Sequence, residues 1–160
     1  MIEDIVNKVD IVKLLNNYYI VFGILEEDKY REIKIDILNP DESISQALMS
    51  VGDVMYLTET GTITLPGKHI LQRLLYEIDY KVNQIINEII DNIFNNNWSE
   101  MQIDSKMEEL ELHLQEYIKS RIRGEINGNI STLLGIKNDK EYLYNYQELE
   151  RYIKCKVLKN

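Results

Sequence analysis

Cysteine is nearly missing from this chain, and proline, histidine and phenylalanine are scarce. Among 160 residues there are one Cys, two Pro, two His, two Phe and one Trp. A lone thiol, Cys155, cannot close an internal disulfide, which points to a reducing compartment. Its segment IKCKV alternates, so Cys155 reads as a small half-buried strand residue rather than a nucleophile. His69 and His113 stand far apart, and no H-x-x-x-H, C-x-x-C or H-E-x-x-H spacing occurs. Without such spacing a zinc site has no support, and no metal or cofactor is expected. The phosphate-cradling patterns G-x-G-x-x-G and G-x-x-x-x-G-K-[ST] are also missing. No apolar run approaches the roughly 20 residues that cross a bilayer. The opening MIEDIVNKVD carries acids where a signal peptide carries bases. The expectation is a chain neither secreted by that route nor membrane-bound.

Positive charge is short too. Lys plus Arg number 18 against 27 Asp plus Glu, a net charge of −9. Binding to nucleic-acid phosphates draws on clustered Lys and Arg. The richest stretch, Lys137 to Lys159, is diluted by Asp139, Glu141, Glu148 and Glu150. It reads as a mixed-charge surface, and no sequence-specific nucleic-acid binding is expected.

What is present is an ordinary soluble composition, 44% hydrophobic and 28% charged, over the length of one domain. Ile2, Ile5, Val6, Val9, Val12 and Leu15 recur at helical spacing, so 1–17 is an N-terminal helix. Tyr18 to Leu25 reads as a buried strand, and Ile33, Ile35 and Ile37 alternate as a half-buried one. The polar residues between them suggest a hairpin. Asp41 is placed to cap a helix carrying Ile44, Leu48, Val51 and Met55. Gly61 to Gly67 is a bracketed loop. From Lys68, Leu71, Leu74, Leu75, Ile78, Val82, Ile85, Ile86, Ile89, Ile90 and Ile93 mark a long amphipathic helix stopped by Asn95-Asn96-Asn97. A second long helix follows, with Met107, Leu110, Leu114, Tyr117, Ile118 and Ile122, ended by Gly124 and Gly128. Together, 68–124 form a helical hairpin. Residues 151–158 alternate as a closing strand. The expected fold class is α+β: a small antiparallel sheet packed against long α-helices in a single domain, 1–160.

Chemistry is hard to find. Glu26-Glu27-Asp28 falls in a turn, and Glu108, Glu109, Glu111 and Glu116 lie on a helix, where acids usually face water. General acid–base work needs two carboxylates converging in a dry cleft. The serines lack a nucleophile-elbow context. Eleven tyrosines, including Tyr18-Tyr19 and Tyr142, Tyr144 and Tyr146, suit interfaces and cores equally. The expectation is a protein that is not an enzyme.

The order of short motifs carries more. VFGILEE around Val21 is followed by a helix, then Glu59-Thr60-Gly61-Thr62, then Leu65-Pro66-Gly67-Lys68-His69-Ile70-Leu71 opening the long helix. Further on come Ile118 to Gly124, Ile130-Ser131-Thr132 with Lys137, Leu143 to Leu149, and the closing strand. This resembles the tail-completion or neck proteins of long-tailed bacteriophages (the virion-morphogenesis group). Those carry a V-x-V-G strand, an E-[FY]-G-T segment and P-A-R-P-F-L-R at the start of the long helix. Glu59, Gly61 and Thr62 match the second motif; Pro66, Leu71 and Arg73 match or nearly match the third. The order agrees over 20–158. Lys68, His69 and Ile70 depart from the family's Arg, Pro and Phe, and Tyr146-Gln147 from its Thr-Gly.

The resemblance implies a non-catalytic structural component of a virion or phage-like particle, assembled in the bacterial host cytoplasm. It implies a ring at the neck, a hexamer by family analogy, joining the head connector or adaptor to the tail terminator or tube. Loop 58–67 is the expected interface loop, with Glu59, Thr60, Gly61, Thr62, Pro66, Lys68 and Arg73 at the subunit interface. Such a head-to-tail contact repeats until the rotation closes. An acidic chain also suits a channel through which DNA slides. The rival reading is a small adaptor or regulatory domain that dimerises through its Ile-rich long helices. Where the Ile face of 71–93 packs discriminates the two.

Overall fold

The computed structural model describes residues 1–38, 41, 43–61, 67, 69–128 and 146–160. The fold is α+β. Helix α1 (Ile2–Lys13) runs into a 3₁₀ turn (Leu14–Asn17), then strand β1 (Tyr18–Ile24). Strands β2 (Glu32–Leu38) and β3 (Ile44–Ser50) precede helix α2 (Val51–Thr60). Two long helices follow, α3 (Ile70–Asn96) and α4 (Glu100–Gly128). A short helix, α5 (Tyr146–Tyr152), leads into the last strand, β4 (Ile153–Lys159).

The chain divides into two compact units. One comprises Met1–Val21, Leu75–Glu116 and Cys155–Asn160; the other comprises Phe22–Leu74 and Tyr117–Lys154.

In the first unit the two long helices lie side by side because their apolar positions recur every three or four residues. On α3, Ile78, Ile89 and Ile93 are buried; on α4, Ile103, Met107, Leu110 and Leu114 are. The turn between them is set locally. Asn97 takes φ 53°, the left-handed conformation that Asn tolerates at a helix end. Ser99 opens α4 with one half of a capping box: the Gln102 Oε1 accepts from the Ser99 backbone N–H at 2.6 Å. Lys106 reaches across to Glu88 at 3.3 Å. The Ile-rich seam is thus used inside the chain.

Strand β4 sits beside β1, and the Asn160 N–H donates to the Asn17 carbonyl at 2.8 Å. Even-numbered N–H groups of β4 therefore point at β1, and odd-numbered ones point away. Two of the latter are taken by side chains of α4. The Cys155 N–H donates to Gln115 Oε1 at 2.6 Å, and the Val157 N–H to Glu111 Oε2 at 2.7 Å. At the end of the strand, the Lys159 ammonium meets Asp104 at 2.7 Å and Glu100 at 2.9 Å. The Tyr18 hydroxyl donates to the same Asp104 carboxylate.

In the second unit β2 and β3 pair antiparallel, with Ile33 opposite Met49 and Ile35 opposite Ala47. Ile33 and Ile35 turn into the core with Val51, Val54 and Met55 of α2, and with Leu149 and Ile153. α2 packs on β3 and on α5.

Two expectations are corrected here. First, β1 and β2 do not form a hairpin: β2 pairs with β3, and β1 with β4. The connection is coiled by the Lys29 N–H donating to the Leu25 carbonyl at 3.1 Å and the Arg31 N–H to the Asp28 carbonyl at 3.0 Å. Asp28 is buried there, paired with Arg31 at 2.9 Å and with Lys154. It is a structural anchor, not a solvated acid. Second, residues 44–50 are a strand and not the start of a helix. The true cap is Ser50, whose Oγ accepts from the Asp53 N–H at 3.1 Å. Asp41 instead accepts from the Ser43 N–H at 3.0 Å, closing a local turn. Gly124 also fails to end its helix, which continues to Gly128. Strand β1 is mostly half-buried, with only Gly23 fully covered.

Candidate functional site: the α2–α3 junction

The described motif residues of the interface loop, Glu59, Thr60 and Gly61, fall at the junction between α2 and α3. α2 ends on Gly61, which has φ 83° and ψ 179° and donates its N–H to the Leu57 carbonyl at 2.8 Å. That backbone conformation is essentially open to glycine alone. Thr60, next to it, is exposed, and its hydroxyl donates back to the Tyr56 carbonyl at 2.8 Å.

Glu59 is the centre of the junction. Its half-buried side chain reaches the start of α3, where helices leave their first N–H groups without internal partners. One carboxylate oxygen accepts from the Leu71 N–H at 2.6 Å, and the other lies 3.5 Å from the Gln72 nitrogen. The Glu59 carbonyl accepts from the His69 N–H at 3.4 Å. His69 has φ 52° and its own side chain supplies no cap. Glu59 therefore does the work of an N-cap residue from another helix, and its negative charge suits the positive end of the α3 dipole.

Gly67 completes the clasp. A Cβ built there would fall on the Glu59 carbonyl oxygen, a backbone atom that cannot swing aside. Only glycine lets the returning chain come this close. Gly67 is thus held against the last turn of α2. Thr62, Pro66 and Lys68 lie outside the described residues, as do Ile130 to Lys137 and Leu143 to Asn145. Arg73 sits exposed in the first turn of α3. The junction so brings Glu59, Thr60 and Gly61 together with the start of α3. Gly67 is the member that motif matching passed over, although a glycine directly after a proline and before a helix was the available signal.

Elsewhere the thiol and the acids are quiet. Burial, and then the Glu111 carboxylate, push the Cys155 thiol up to about 11. That is a weakly nucleophilic, protonated thiol. Lys159 and then Tyr18 hold the Asp104 carboxyl below its ordinary value. Among the described residues no three His, Cys, Asp or Glu side chains are grouped to hold a metal ion. Among the same residues no helix is long and apolar enough to cross a membrane.

Comparison with protein-family models, with curated proteins and with solved structures gives no match.

Proposed function

We propose that this chain is a structural, non-catalytic subunit of a phage or phage-like tail particle. It forms a ring at the neck, between the head connector and the tail. The observation that carries this reading is the clasp. Glu59 and Gly61 of the E-x-G-T pattern form one local device with Gly67. It lies at the outlet of α2 and the inlet of α3, where the resemblance places the contact between subunits. Glu59 and Gly61, two of the residues that carry the resemblance, are also residues that this geometry needs.

The adaptor reading requires the Ile-rich seam of α3 for a second copy. Ile78, Ile89 and Ile93 are buried in the chain's own first unit, which supports reading that part of the seam as core.

The experiment is localisation and removal. Particles from the source, labelled through a tag on this chain, should show label at the head–tail joint in negative stain. Deletion of the gene should leave unjoined heads and tails. Intact particles at normal titre from the deletion strain would refute the proposal.

A further inference from the structure

We draw no further inference here: the strongest candidate, the exposed apolar stripe of Ile2, Ile5, Val6 and Val9 along the outer face of α1, carries nothing because its acids Asp4 and Asp10 are already paired with Lys8 and Lys13 and nothing among the described residues shows what covers it.

Discussion

Removing the Glu59 carboxylate is the sharpest perturbation of the junction. Two N–H groups at the start of α3 depend on it, one at 2.6 Å and one at 3.5 Å. Only the first is a strong bond. A hydrogen bond to a charged group contributes about 1.5–3 kcal/mol. A lost N-cap alone costs about 1 kcal/mol, and the dipole interaction adds about 0.3–1 kcal/mol. These figures overlap, since each counts part of the same contact. For a half-buried carboxylate, about 2 kcal/mol is the expected loss in Glu59→Ala. With a urea slope of about 2 kcal/mol per molar, the unfolding midpoint falls by about 1 M. Glu59→Gln keeps an acceptor oxygen but loses the charge, and should recover about half of that. Glu59→Asp is one methylene too short to span the gap and should behave like the alanine variant. Urea titration followed by circular dichroism gives all three values. A Glu59→Ala midpoint within about 0.2 M of the unsubstituted protein would refute the clasp, given the same slope.

Three other outcomes follow from the same contacts. Gly67→Ala drives a methyl group into the Glu59 carbonyl and should destabilise by about 1–3 kcal/mol, read from the same urea titration. Asp28→Ala removes the buried anchor of Arg31 and Lys154; because both cations keep partial access to water, the expected cost is about 2 kcal/mol, checked by thermal melting. Cys155 should resist thiol reagents at pH 8 until urea unfolds the chain. Its folded pKa of about 11 lies above the ordinary value near 9, so the unfolded thiol ionises first as pH rises. The stability from its protonated burial is complete below pH 9 and lost between about 9 and 11, a loss that Cys155→Ala should not show.

The long elements were legible because their signal is local. α3 and α4 repeat apolar residues at three and four for many turns, and Asn97 with Ser99-x-x-Gln102 punctuates them in the sequence itself. β4 announces itself by alternation, and the half-buried Cys155 segment sits where that alternation puts it. Residues 44–50 were misread because Ile44, Leu48, Val51 and Met55 fit a helical period by coincidence. In fact Ala47 and Met49 face inward opposite Ile35 and Ile33, while Leu48 is 60% exposed. Only pairing with β2 fixes that register, and pairing is not local information. The Ser50-x-x-Asp53 box was readable and marks the real helix start. Strand partners were illegible for the same reason, since β1 finds its neighbour at the far end of the chain. The junction was half legible. Glu59 and Gly61 could be picked out as motif members, but the Glu59 carboxylate meeting Leu71 needs the fold. Asp28 was hidden because a turn acid and a buried acid look alike until Lys154 arrives from β4.

The contacts from α4 to β4 have a geometric limit of their own. Four helix residues advance about 6.0 Å, and two strand residues advance about 6.7 Å. Glu111 and Gln115, one turn apart, reach Val157 and Cys155, two residues apart. The advances disagree by about 0.7 Å per step, a gap that side-chain flexibility absorbs over two rungs and not over many. α4 is thus a plug of finite length. It blocks the middle of an edge that would otherwise template a neighbouring strand, and so guards the chain against the disordered stacking of sheet on sheet.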